Sequence, residues 1–284
     1  MRESTLQTDD GGHLALYSYG TEDAPGGQRV VVVGGAFLTA LIYRPFAIAF
    51  AKTLGEGWAV DVYDRRGRGG SSEQPEDYSI RTEISDLALV LRETRAKNIL
   101  GHSLGCSVAL NSVQEFVGSE LEPEKLALYD PAINIDNSLD MSWFESFEND
   151  VAAGRISHAW AKFKRGFNAT GPLTRVPEPI LAGLLALVAP TRAARAVKTL
   201  LPTAVGELKA GMLEAEKAED FSKLPAGTQF LVGAKSPEYF HETAKRLHAA
   251  IPGSGFALSP KMVHGSIPAA ARELLDELTD YFRS

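Results

Sequence analysis

The sequence holds a single cysteine, Cys106, in 284 residues. One thiol can form no disulfide within the chain and supplies no cysteine-based metal site. Basic residues are also outnumbered: 29 lysines and arginines stand against 36 aspartates and glutamates, a net charge of −7. Nucleic acid and anionic membrane surfaces select for the opposite balance, so neither is expected as a partner. Long apolar runs are missing. The longest, Ile180 to Ala189, is far shorter than the roughly 20 residues that cross a bilayer and is interrupted by Gly183. Met1 to Gly12 is polar and acidic, without the basic-then-apolar order of a secretory signal. No internal repeat or low-complexity stretch occurs. What remains is ordinary globular composition, 44% apolar and 23% charged, which excludes disordered and collagen-like chains. A soluble, cytoplasmic protein acting on a small molecule is expected. At this length two domains, or one with a sizeable insertion, can bury a core that needs no staples.

The chain opens as a hairpin, Ser4 to Thr8 and His13 to Tyr19 around Asp9-Asp10-Gly11-Gly12. Val30-Val31-Val32-Val33 follows, β-branched and uninterrupted, which suits a strand buried on both faces of a parallel sheet. Weaker strand signals recur at Trp58 to Tyr63, Asn98 to Leu100, Leu126 to Tyr129, Gln229 to Val232 and Phe256 to Leu258. Helical periodicity lies between them. Phe240, Ala244, Leu247 and Ile251 form one stripe, with Ser236 read as the N-cap, and Leu274, Leu278 and Phe282 form another. Strands alternating with helices predict a doubly wound, mostly parallel α/β sheet with flanking helices. From about Ile133 to Lys223 no strand is convincing. The stripes there, Trp143, Phe144, Phe147 and Val151, then Trp160, Phe163 and Phe167, predict an inserted α-helical cap (133–223) on a core of 1–132 and 224–284.

The chemistry concentrates at Gly101-His102-Ser103-Leu104-Gly105, between the strand ending at Leu100 and a helical run from Ser107 to Phe116. A pattern this loose arises by chance; its setting makes it specific. A serine on a tight strand-to-helix turn is lifted above the sheet, the flanking glycines allow close approach, and the helix N-terminus favours negative charge. Three further segments occur in order around it: Val30 to Phe37, a strand running into Gly34-Gly35; Tyr63 to Ser71, an arginine- and glycine-rich loop; and Val263-His264-Gly265, between the last strand and the terminal helix. With these four in order, the chain resembles the α/β-hydrolase fold family nearly end to end outside the cap.

The resemblance implies a nucleophile, Ser103, and a base, His264. A serine hydroxyl needs such a base within hydrogen-bond reach. The other histidines are assigned elsewhere: His102 points away as a packing residue, and His13, His158, His241 and His248 lie on strand or helix surfaces. Many family members carry the acid after the penultimate strand, but Leu231 to Pro237 holds no carboxylate there. Glu238 lies in the following helix's first turn, where the dipole alone favours an acid. Some members carry it one strand earlier, which here is Asp130 in Leu128-Tyr129-Asp130-Pro131. Asp130 is therefore the expected acid, a Ser–His dyad being the alternative. The family's usual His-Gly before the oxyanion loop is Gly34-Gly35 here. Because the donors are backbone N–H groups, Ala36, with Phe37 as a near alternative, and Leu104 still fit the position. The arginines of the Asp64 to Ser71 loop are read as scaffold, and Cys106 as a small core residue.

A serine at the elbow excludes relatives that need an aspartate there. No histidine pair has metal-ligand spacing, and Gly34-Gly35 lacks the third glycine of a dinucleotide fingerprint, so no metal or cofactor is expected. Two functions remain. One is a serine hydrolase cleaving an ester or related acyl bond of a small, largely apolar substrate. The other is a non-hydrolytic user of the fold, a cofactor-free lyase or ligand-binding module. The oligomeric state is not legible in the sequence.

Overall fold

The computed structural model describes residues 1–167, 176–187, 191–225 and 227–284. Strands β1 (Arg2–Gln7), β2 (His13–Gly20), β3 (Arg29–Val33), β4 (Ala59–Tyr63), β5 (Asn98–His102), β6 (Lys125–Tyr129), β7 (Gln229–Gly233) and β8 (Gly255–Ser259) form one sheet in the order β1-β2-β4-β3-β5-β6-β7-β8. The first hairpin joins antiparallel; from β4 onward every neighbour is parallel. Each strand lies within a residue or two of the segment its hydrophobic pattern predicts.

The four valines of β3 show why the central strands read as unbroken apolar runs. Side chains alternate across a pleated strand. Val30 and Val32 pack on one face with helices α1 (Ala40–Leu54) and α9 (Arg272–Arg283), through Phe46, Phe50, Leu278 and Phe282. Val31 and Val33 pack on the other with α2 (Ile80–Thr94), α3 (Gly105–Phe116) and α8 (Glu238–Ala250), through Leu87, Val113 and Leu247. All four valines are fully buried. A strand covered on both sides needs apolar residues at every position, not every second one.

Between β6 and β7 the chain builds α4 (Phe144–Ala152), α5 (Ile156–Gly166), α6 (Glu178–Leu187) and α7 (Arg192–Gly211). Among the described residues the one β interaction of this stretch is an isolated bridge from Ile135 to Glu216. Its aromatic stripes meet each other and the core: Trp143, Phe147 and Phe163 contact one another edge-on or tilted. Phe144, Phe147, Leu201 and Leu208 join the larger core cluster. The Gly171-Pro172 break lies outside the described residues. Among those described, no helix is long and apolar enough to cross a membrane.

Candidate active site

Ser103 stands between β5 and α3 at φ 56°, a left-handed conformation that costs a non-glycine residue about 1–3 kcal/mol. Backbone bonds hold it there: its N–H donates to Tyr129 O at 3.0 Å, and its carbonyl accepts from Cys106 N at 2.9 Å and Ala132 N at 3.1 Å. Two glycines make room. A Cβ at Gly105 would lie 2.1 Å from Val33 O, and one at Gly35 would lie 2.8 Å from Ser103 Cβ. The elbow glycine therefore lets α3 start directly against β3, and the loop glycine lets the chain after β3 pass over the serine.

Directly after β6 stands Asp130, fully buried, also at positive φ (48°), with its N–H donating to Leu231 O at 2.9 Å. Its carboxylate accepts from Gly233 N–H at 2.9 Å, Ser236 Oγ at 2.6 Å and His264 Nδ1 at 3.0 Å. A carboxylate can only accept from an imidazole, so the proton sits on Nδ1 and Nε2 carries the lone pair. Phe240 stacks on the imidazole with ring centroids 4.4 Å apart. The last residue of β7 and the loop after it, where many relatives are expected to carry their acid, instead supply one donor each to Asp130 beyond the neighbouring strand. This corrects the reading of Ser236 as a helix cap. The N-cap of α8 is Pro237, with no side-chain cap bond, and the Ser236 hydroxyl crosses to Asp130.

Ser103 and His264 line one cavity of about 230 Å³ together with Ala36, Leu104, Ala132, Phe163, Lys164, Phe167, Leu208, Met212, Pro237 and Phe240. No hydrogen bond joins Ser103 Oγ to His264, a spacing common before a substrate fills a site. The N–H groups of Ala36 and Leu104 donate to no protein acceptor among the described residues. Ala36 lines the cavity and Phe37, at φ 60°, does not. Phe37 turns its ring to α5, edge-on to Trp160 and Phe163. Two larger depressions, about 540 and 670 Å³, contain neither Ser103 nor His264.

The carbonyls of the loop after β3 are tied down from behind. Arg65 donates to Gly34 O at 3.1 Å, and Arg68 donates to Gly35 O at 2.7 Å and Leu38 O at 2.9 Å. Both guanidiniums are buried. Arg65 is paired with Glu83, while Arg68 meets Glu207, a buried carboxylate on α7. With these carbonyls turned inward, the loop leaves the Ala36 N–H for the cavity. The arginine-rich loop is scaffold, as its sequence suggested. Cys106 is likewise buried and free.

His102 departs from expectation. It is buried, but it is more than packing: Nδ1 lies 2.7 Å from Tyr43 Oη and Nε2 lies 3.1 Å from His264 O. The carbonyl can only accept, so Nε2 is protonated and Tyr43 donates to Nδ1. Tyr43 Oη accepts in turn from Gly35 N–H at 2.8 Å. One neutral histidine thus ties the loop after β3 to the backbone of the His264 loop. Burial, followed by the neighbouring His264 charge, pushes its pKa down from 6.5 to about 3. Because the folded value lies below the unfolded one, its stabilising effect is complete above pH 6.5 and lost as the pH falls toward 3. Urea unfolding should therefore lose about 1.4 kcal/mol per pH unit from this one group between roughly pH 6 and 4.5. His102→Gln should remove that slope in a direct comparison with wild type. An unchanged slope would show that His102 is not held neutral.

His241 also differs from its expected surface place: it is buried, with Nε2 3.2 Å from Ser236 O. Asp150, His158 and Glu178 gather with their ligand atoms within 4.8 Å. The Lys162 ammonium already contacts Asp150 and lies 4.0 Å from Glu178, and Arg155 also contacts Asp150. Those pairs neutralise the cluster as a structural network.

A strained serine, a buried carboxylate on a histidine and an apolar cavity at the carboxyl edge of a mostly parallel sheet define a class of protein. The chain belongs to the alpha/beta hydrolase family, whose model matches residues 30–271. An alpha/beta hydrolase from Sphaerobacter thermophilus is similar in structure, with a TM-score of 0.73, 23% identity and coverage of 98% of this chain and 100% of that one. A bromoperoxidase from Bacillus anthracis (TM-score 0.71, 21% identity) covers 100% of both chains. An esterase from Exiguobacterium antarcticum (0.69, 20% identity) also covers 100% of both. A curated Synechocystis sp. protein, provisionally named a non-heme chloroperoxidase, is 25% identical over 154 residues, 52% of this chain and 55% of that protein. The matched stretch thus spans about half the length of that curated relative.

Proposed function

We propose that the protein is a serine hydrolase that cleaves an ester or related acyl bond of a small, largely apolar substrate, with the segment 133–223 acting as its cap. The observation that carries this reading is the hydrogen bond of His264 Nδ1 to the buried Asp130 carboxylate, with Ser103 lining the same cavity. Asp130 fixes the tautomer, leaving Nε2 to accept the Ser103 proton as Oγ attacks the acyl carbon. The tetrahedral oxyanion is bound by the N–H groups of Ala36 and Leu104, each donor commonly contributing about 3 kcal/mol. The protonated His264 gives its proton to the departing alcohol, leaving an acyl-Ser103 ester. Water, deprotonated by His264, attacks that ester, releases the acid and restores the serine. No cofactor enters any step. The apolar lining of Phe163, Phe167, Leu208, Met212 and Phe240 suits a small acyl or alcohol group.

Incubation with a fluorophosphonate probe should add one label, on Ser103, because only a serine paired with a base attacks such a phosphorus centre. Peptide mapping by mass spectrometry reads the site. A label elsewhere, or none on protein that turns over an ester, refutes Ser103 as nucleophile.

A further inference from the structure

Among the residues that line the cavity with Ser103 and His264, one carries a permanent charge: Lys164 on α5. Its ammonium lies over the Trp160 ring, 4.8 Å from the centroid, one helical turn away. Trp160 stacks on Phe163 at 5.5 Å with the planes 6° apart, and both meet Phe37 edge-on at 5.1 and 4.7 Å. The cation therefore rests on the same aromatic block that seats the loop after β3. An aromatic face attracts a cation but carries no net charge. It holds the ammonium without neutralising it.

No carboxylate does so either. Three other cations of the 133–223 segment are matched: Lys162 and Arg155 with Asp150, and Lys209 with Glu148. Lys164 forms no ion pair among the described residues. Burial alone pulls its pKa below the ordinary lysine value, with no opposing anion. In a chain of net charge −7, the one lysine among the lining residues of the proposed nucleophile's chamber has no ion-pair partner among the described residues.

We propose that Lys164 is a subsite for a carboxylate on the substrate. This rests on the hydrolase reading and narrows its substrate class to esters or lactones that carry a carboxylate remote from the scissile bond. A single ammonium in an otherwise apolar chamber of about 230 Å³ matches one monoanion on a short carbon chain. A phosphate dianion would leave a second charge unmatched in apolar surroundings. The competing picture is a lysine whose stem covers apolar surface while its head serves only water.

Two 4-nitrophenyl esters of equal carbon count separate the two pictures: the pentanoate, ending in methyl, and the hydrogen glutarate, ending in carboxylate. The ratio of kcat/KM for glutarate over pentanoate should exceed about 10 in wild type, as close charge pairs commonly allow. Lys164→Met should lower that ratio by about tenfold or more, and Lys164→Arg should keep most of it. A ratio indifferent to Lys164→Met overturns the subsite. A second measurement is independent of turnover: in Ser103→Ala protein, calorimetry should detect hexanoate binding at least tenfold tighter than hexanamide, and lose that margin when Lys164→Met is added. If neither ester is cleaved, the hydrolase reading fails and the hexanoate comparison alone decides the subsite. Equal binding of the two ligands refutes it.

Discussion

Alanine at Ser103 or at His264 should each lower ester turnover by about 10⁴-fold or more, and the double replacement should cost scarcely more than either alone. The reason lies in the division of labour. Ser103 without a base is an ordinary hydroxyl, and His264 Nε2 without the serine has no proton to accept. Removing either ends the same step, so the second removal has little left to destroy. Binding and the oxyanion donors continue to act in every variant, which sets a common residual rate. Steady-state kcat with a neutral 4-nitrophenyl ester measures this. Losses that multiply in the double variant would show that the two residues act in separate steps, and the assignment of His264 as base would fall.

Asp130→Asn should cut kcat by about 10³ to 10⁴ while KM moves little. The change is nearly isosteric, so the fold should survive, as thermal unfolding followed by circular dichroism would show. The damage follows from the hydrogen-bond inventory around this carboxylate. Gly233 N–H and Ser236 Oγ both donate to it, alongside His264 Nδ1. An amide has one acceptor atom, and Gly233 N–H, which cannot reverse, claims it. The NH₂ group then faces His264 and Ser236. The imidazole must turn its Nδ1 into an acceptor, which places the proton on Nε2, where a base is needed. The exposed Glu238 provides the control, since it sits in the first turn of α8. Glu238→Gln should leave kcat within about twofold, because a first-turn acid contributes a few tenths of a kcal/mol to the helix and nothing to the cavity. If Glu238→Gln abolished turnover and Asp130→Asn did not, the acid would belong to the later strand.

Some of this was readable from local pattern and some was not. The β3 valines announce a strand buried on both faces without any structure. The elbow is equally local, because strand, turn and helix are contiguous. Asp130 could be named only through the family resemblance, as the carboxylate that closes the strand one before the usual one. Contacts that cross the sheet leave no such trace. Ser236 reads as a cap because a serine before a helix usually is one, and its bond to a residue 106 positions earlier has no periodicity. His102 reads as filler beside the proposed nucleophile. Its partners are Tyr43 and the His264 carbonyl, 59 and 162 positions away. Lys164 resembles any lysine on a surface helix until the cavity beneath it is known.

The buried meeting of Arg68 with Glu207 makes the helical segment less interchangeable than its place between two strands suggests. Caps look like modules that could be traded among relatives to redirect specificity. In this chain a foreign segment in place of the proposed cap, lacking an acid at the Glu207 position, would strand a guanidinium in the interior, at a cost of about 3–5 kcal/mol. That same guanidinium fixes the carbonyls beside the proposed oxyanion donors, so the penalty would fall on the reaction centre as well as on stability. Recombination of cap and core here must preserve one ion pair as its joint, and the sequence on either side of that joint cannot drift independently.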